Sequence, residues 1–195
     1  MEYMNKRGIV LKEIARSDVL RFGMFEDSEG NVTPYYLDLT RLWKTPELLR
    51  AIGELILEDF EERKEVNAVC GAGYTGTPLA TIVSQLLKRP LVIASENEIF
   101  GSFEPGAKVM IVDDVIATGN KANKIVKRVM LEGGQPYVYA VILDKGIGGS
   151  NKLTQMNVKF FSLFSLEELI AKAYELGVIG EEELRALREK QGRLF

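Results

Sequence analysis

Hydrophobic residues first recur at helical spacing. Ile9, Val10, Leu11 and Ile14 mark a short amphipathic helix over residues 4–15, closed by a turn near Ser17 and Asp18. The period then shortens to that of strands. Residues 20–25 and 35–39 are β-type runs on either side of Asp27-Ser28-Glu29-Gly30-Asn31, a spacer that predicts a hairpin or a two-strand meander. Helical spacing returns after Thr45, which suits an N-cap, and Pro46, whose fixed φ suits the first helical position. Leu48, Leu49, Ile52, Leu55, Ile56 and Phe60 form the buried stripe of a helix reaching residue 62.

From residue 66 the pattern becomes strand, glycine-containing turn, helix, strand, and repeats. Residues 66–70 read as a strand, 71–76 as a turn and 78–87 as a helix; 91–94 and 109–112 follow as strands. Residues 122–131 read as a helix with lysines outward, Gly133-Gly134 ends it, and 138–143 is another buried strand. This alternation predicts an α/β fold with a mostly parallel central sheet flanked by helices, because parallel strands need crossover connections. Residues 160–164 are expected to add an edge strand, and 166–176 and 181–190 two closing helices. The expected division is a small N-terminal hood of helix and β elements over 1–44 and a core with C-terminal helices over 45–195. Ligands of such sheets bind at the carboxyl ends of the strands.

Composition narrows the chemistry. The 195 residues are 46% hydrophobic and 27% charged, with both signs interspersed, as in a compact soluble protein. With a formal net charge of −3 there is no global basic field, so nucleic acid and acidic membrane surfaces are not expected partners and any anion must be captured locally. Histidine is absent, which removes imidazole bases, Ser-His-Asp catalysis and most catalytic zinc sites. The single Cys70 lies in an apolar run and reads as a small buried hydrophobe. No run is long and apolar enough for a membrane helix, and the N-terminus lacks a signal-peptide core, so a cytoplasmic setting is expected.

The stretch with most chemistry is VMIVDDVIATGNK, residues 109–121. Four apolar residues make a strand buried on both faces, and Asp113 and Asp114 follow at its carboxyl end. Paired acids are costly there unless something uses them; a ribose does, because its cis hydroxyls offer two donors to two carboxylates. Ala117, Thr118, Gly119 and Asn120 are small or polar and open the next helix, so their backbone N–H groups suit a phosphate, with Lys121 adding a point charge. A strand ending in a solvated acidic turn has the same outline; the Thr-Gly offset and the type of sheet favour the ribose phosphate.

These residues carry a resemblance. The stretch is similar to the phosphoribosyl pyrophosphate motif of type I phosphoribosyltransferases, and among them to the orotate branch. The resemblance implies the type I phosphoribosyltransferase fold, with Asp113 and Asp114 as catalytic acids facing the ribose and Ala117, Thr118, Gly119, Asn120 and Lys121 around the 5-phosphate. Gly71-Ala72-Gly73-Tyr74-Thr75-Gly76 resembles the pyrophosphate loop, which assigns Gly73, Tyr74, Thr75 and Gly76 to the pyrophosphate. Thr33-Pro34-Tyr35-Tyr36-Leu37-Asp38-Leu39 and Leu143-Asp144-Lys145 resemble the base-binding runs, which assigns Tyr35, Tyr36 and Lys145 to the base. The family implies transfer of a phosphoribosyl group from phosphoribosyl pyrophosphate to orotate or another base in pyrimidine nucleotide synthesis. It also implies Mg²⁺ carried mainly by the substrate, with no metal ligands expected from protein side chains, and a homodimer.

The chain departs from the branch most in one region. A catalytic loop of the form Arg-Arg/Lys-Lys-Glu-x-Lys-x-His/Tyr-Gly is there aligned with Ile93-Ala94-Ser95-Glu96-Asn97-Glu98-Ile99-Phe100-Gly101, in which Ala94 and Ser95 replace basic residues and Glu98 replaces the loop lysine, so that a positive cluster becomes net −2 counting Glu96 and Glu98. Preorganised donors at a leaving group commonly contribute ~10²–10³ each in rate. Ala117 replaces a usual hydroxyl residue, Asn120 and Lys121 stand where small residues are common, Ser28 stands where the family has a lysine, and Lys145 stands where it has an arginine. A second reading follows from these changes: a catalytically weakened paralog that binds or senses a nucleoside monophosphate or phosphoribosyl pyrophosphate.

Overall fold

The structure, a computed structural model, describes residues 2–26, 30 and 32–192, with side chains from residue 6 to residue 187 within those ranges. Asp27, Ser28, Glu29 and Asn31 of the expected hairpin turn lie outside the described residues. Along the chain run α1 (Glu2–Arg16), β1 (Leu20–Glu26), β2 (Val32–Leu37), α2 (Pro46–Asp59), β3 (Ala68–Ala72), α3 (Gly73–Leu87), β4 (Leu91–Ala94) and β5 (Ile99–Phe100). After them come β6 (Lys108–Ile116), α4 (Asn120–Leu131), β7 (Gln135–Asp144), α5 (Gly149–Gln155), β8 (Lys159–Ser165), α6 (Leu166–Glu175) and α7 (Glu181–Gly192).

The described residues of Met1–Thr45 and Leu166–Phe195 pack as one unit and those of Pro46–Ser165 as another, so α6 and α7 group with the N-terminal elements and not with 46–165. In the first unit, α1 buries Val10, Leu11, Ile14 and Ala15, whereas Ile9, expected on the same stripe, is exposed. Arg7 donates to Glu168 Oε1 at 2.8 Å, tying α1 to α6. β1 and β2 form an antiparallel hairpin whose register shifts between Phe22 and Phe25.

The second unit is built on a six-stranded sheet of order β5-β4-β3-β6-β7-β8, parallel throughout except for β5. Alternate strand residues point to opposite faces. Ala68, Cys70, Ala72, Val109, Ile111, Tyr139 and Val141 pack on the face covered by Ala122, Ile125, Val126 and Val129 of α4. On the other face α3 comes close enough that a side chain on Gly71 would strike Thr77 and Ala80.

Three local readings change. β6 does not stop at Val112 but continues through both acids to Ile116, because β7 runs alongside it as far as Asp144. Residues 73–76, read as a turn, are already the first turn of α3. α2 ends at Asp59, and 61–65 form a separate 3-10 helix. The short β5 and α5 had no sequence signal strong enough to announce them.

Candidate functional site

Asp113 and Asp114 sit near the carboxyl end of the central strand β6 and differ in environment. Asp113 is 1% exposed, while Asp114 is half-buried. The Tyr139 hydroxyl donates to Asp113 Oδ2 at 2.6 Å, Lys121 Nζ donates to Oδ1 at 2.8 Å, and the Asp114 backbone N–H donates to the same Oδ1 at 3.0 Å. Thr75 Oγ1 donates to Asp114 Oδ1 at 3.0 Å and accepts from Lys121 Nζ at 3.2 Å. A continuous polar chain therefore joins β7, β6, α4 and α3. A buried carboxylate that is fully hydrogen-bonded avoids most of its desolvation cost.

Burial pushes the Asp113 carboxyl up to about 7, with the charge of Asp114 adding to the rise and the Lys121 ammonium opposing it. Burial, followed by the nearby Asp113, raises the Tyr139 phenol well above its ordinary value, so it is a donor to the acid. The Cys70 thiol is pushed up to about 12, chiefly by burial, which agrees with an inert buried thiol.

Two helix starts flank these acids. The N-cap residues of α3 and α4, Ala72 and Gly119, give no side-chain cap, and helix starts without an N-cap side chain are the natural place for an anion. Gly119 precedes α4 at φ +77°, and a Cβ there would lie 2.9 Å from Gly149 O. Gly76 lets α3 close on β6, since a Cβ there would lie 2.5 Å from Val112 O. Ala117 and Thr118 are half-buried beside this start. Asn120 is exposed and accepts from Lys152 Nζ at 2.6 Å. Tyr74 is 83% exposed. Lys145 is brought to the same end of the sheet, its backbone N–H donating to Ile116 O at 3.0 Å.

The segment aligned with the catalytic loop forms a tight hairpin. β5 pairs back on β4 through Ile93 with Phe100 and Ala94 with Ile99. The Ser95 N–H donates to Glu98 O at 2.8 Å, and Ser95 Oγ accepts from the Glu98 N–H at 3.1 Å. Glu96 at its tip accepts from Lys124 Nζ of α4 at 2.6 Å.

Tyr35 and Tyr36 lie on β2 of the other unit. Tyr35 is buried, which raises its phenol above the ordinary value, and Tyr36 is exposed with its ring 5.6 Å from that of Phe25. Two participants were missed in the sequence: Tyr139, hidden in an apolar strand, and the bond from Thr75 to Asp114. A tyrosine inside a strand buried on both faces was the available signal, since its hydroxyl needs a partner.

No family model matches the chain. The orotate phosphoribosyltransferase of Methanocaldococcus jannaschii is 31% identical over 174 residues, covering 85% of this chain and 98% of its own length. That of Chlamydia caviae is 31% identical over 167 residues, covering 80% of each. Among solved structures, the orotate phosphoribosyltransferase from Aeropyrum pernix superposes with a TM-score of 0.76 at 26% identity, over 83% of this chain and 98% of that one. The Mycobacterium tuberculosis H37Rv enzyme in complex with 5-phospho-α-D-ribosyl 1-diphosphate gives 0.71 at 25% identity, over 84% and 98%.

Proposed function

The chain belongs to the orotate phosphoribosyltransferase family, and from this premise we propose that it transfers the phosphoribosyl group of phosphoribosyl pyrophosphate to orotate, releasing pyrophosphate. The observation that carries the proposal is the acid pair at the end of β6, set between the two uncapped helix starts. The reading places one ligand there, with a phosphate at each helix start and a ribose at the acids.

In this reading the backbone N–H groups at the start of α4, from Ala117 to Lys121, take the 5-phosphate and the Gly73–Gly76 turn takes the pyrophosphate. Asp113 and Asp114 accept the ribose hydroxyls and stabilise the positive charge that develops on the ribose as the bond from C1 to pyrophosphate breaks. The orotate ring nitrogen attacks C1 and supplies the electron pair of the new bond; the pair of the broken bond leaves with pyrophosphate. Lys145 faces the carboxylate of the base as a single ammonium, without the two-pronged fit of a guanidinium.

Mg²⁺ fits here as a companion of the substrate. Both oxygens of Asp113 and Oδ1 of Asp114 already accept hydrogen bonds, so an ion carried in by the substrate would meet the acid pair through Asp114. Bound through phosphate oxygens, the ion supplies neutralisation of the leaving charge. The chain is proposed to act as a homodimer, as the family resemblance implies, and in the cytoplasm, as its composition leads one to expect; no helix among the described residues is long and apolar enough to cross a membrane.

The deciding assay is loss of orotate absorbance with phosphoribosyl pyrophosphate and Mg²⁺. Turnover is expected, slower than in relatives whose catalytic loop is basic. Ligand binding without any turnover of orotate or of a panel of other bases would replace this function with that of a sensor.

A further inference from the structure

Lys121 belongs by sequence to the 5-phosphate side, in the first turn of α4, yet its ammonium reaches the opposite turn. Nζ lies 2.8 Å from Asp113 Oδ1 and 3.2 Å from Thr75 Oγ1, and a Cβ built on Gly73 would meet Lys121 Cε at 3.6 Å and Nζ at 3.8 Å. The charge thus sits against the Gly73–Gly76 turn. That turn has no basic residue of its own, and neither has the segment from Ala94 to Gly101. The acid at the hairpin tip is engaged with Lys124. The side chain of Lys121 is 41% exposed, whereas that of Asp113 is 1% exposed, so the lysine can leave its acid without crossing the interior.

We propose that Lys121 is the pyrophosphate-side cation of this site, delivered from within α4 in place of the positive charge that the β4–β5 hairpin lacks. The proposal rests on the phosphoribosyltransferase reading and adds a role to one residue. Without ligand, the buried carboxylate of Asp113 holds the ammonium in place by a charge-assisted hydrogen bond. A pyrophosphate group carries more negative charge than one carboxylate and draws the ammonium to itself. Asp113 Oδ1 then loses a donor and accepts a ribose hydroxyl, so leaving-group neutralisation and ribose capture are coupled through one side chain.

The test uses the full chain and titration calorimetry with three probes in Mg²⁺: phosphoribosyl pyrophosphate, inorganic pyrophosphate and ribose 5-phosphate. Lys121→Gln is expected to lose about tenfold or more in affinity for the first two and less than about twofold for ribose 5-phosphate, the scale of a lost charge-assisted bond. Lys121→Arg is expected to recover most of the loss. A purely structural role would weaken all three probes alike, and a 5-phosphate role would weaken ribose 5-phosphate; either result overturns the proposal, as does unchanged pyrophosphate affinity. A measurement on the unsubstituted chain guards against misfolding of the variant. With the lysines carrying ¹³C-methyl groups, the Lys121 resonance, assigned by its loss in Lys121→Arg, should move on adding pyrophosphate and stay for ribose 5-phosphate; the converse overturns the proposal. Wild-type protein that binds neither phosphoribosyl pyrophosphate nor ribose 5-phosphate would remove the site reading and this inference together, whereas intact binding in Lys121→Gln removes the inference alone.

Discussion

The carboxyl end of β6 and the β4–β5 hairpin lie in one sheet with only β3 between β4 and β6, yet opposite forces hold them. At β6 the side chains set the structure: Asp113 is buried and accepts bonds from Tyr139, Lys121 and the next backbone N–H. In the hairpin the backbone sets it, through the pairing of Ile93 with Phe100 and the turn bond from Ser95 to Glu98, while residues 96–98 remain exposed. Burial makes changes at β6 costly, because a polar group left without its partner loses about 1–3 kcal/mol. Exposed hairpin side chains can change sign with little effect on folding. On the proposed function, the acidic hairpin therefore bears on catalysis alone, whereas the acid pair bears on catalysis and packing at once.

The largest expected effect breaks the β6 side of this contrast. Asp113→Asn with Asp114→Asn should weaken phosphoribosyl pyrophosphate by about 100-fold or more, in line with loss of two charge-assisted acceptors. The fold should survive, because an amide oxygen still accepts from Lys121 and the Tyr139 hydroxyl can turn to accept from the amide NH₂. Calorimetry with circular dichroism checks both halves, and unchanged affinity would exclude the acids from the ribose site.

Charge in the hairpin comes next. Ser95→Lys with Glu98→Lys should raise kcat for orotate about tenfold, below the full contribution of a preorganised donor because Glu98 is exposed and Ser95 only half-buried. Native turnover already equal to that of relatives with basic loops, with no gain in the variant, would show that the hairpin does not limit the reaction.

A smaller effect separates the two regions by pH. The Asp113 carboxyl is raised from 3.8 to about 7 in the fold, so the native state binds the proton more tightly than the unfolded chain. Its contribution to stability is complete below about pH 4 and is lost as pH rises through about 7. Asp113→Asn has no such loss, so its melting temperature relative to wild type should rise between pH 5 and pH 8. Glu98→Gln in the hairpin should leave that profile unchanged, and parallel wild-type and Asp113→Asn profiles would contradict the buried acid. The smallest effect is expected at the hairpin tip. Glu96→Gln removes the bond to Lys124, whose side chain is 56% exposed, and should cost under about 0.5 kcal/mol in a denaturant titration.

Local patterns announced most elements of the sheet unit. The apolar run ending at Val112 and the glycine before α4 were legible because strand burial and helix initiation are decided among neighbouring residues. The end of β6 was not, since Asp113 and Asp114 look like a strand terminus until β7 is placed beside them with Val115 opposite Leu143. The same blindness affected residues 73–76: glycines suggest a turn, and only the packing of α3 on β3 and β6 makes Gly73 a helix start. Assigning Lys121 to the 5-phosphate followed from its position in the chain, while the direction of its side chain did not.

What the amino-acid order determined by itself was the alternation of strands and helices, the adjacency of two acids to a glycine-bearing helix start, and the absence of positive charge between residues 94 and 101. Tertiary structure alone decided that Asp113 is the inner acid and that its partners come from elsewhere. Tyr139 reaches it from 26 residues away, and Thr75, 46 residues from Lys121 and 39 from Asp114, links lysine and second acid. Periodicity is carried by neighbours in the chain, whereas a hydrogen bond between distant side chains exists only once strand register and helix placement bring them within about 3 Å.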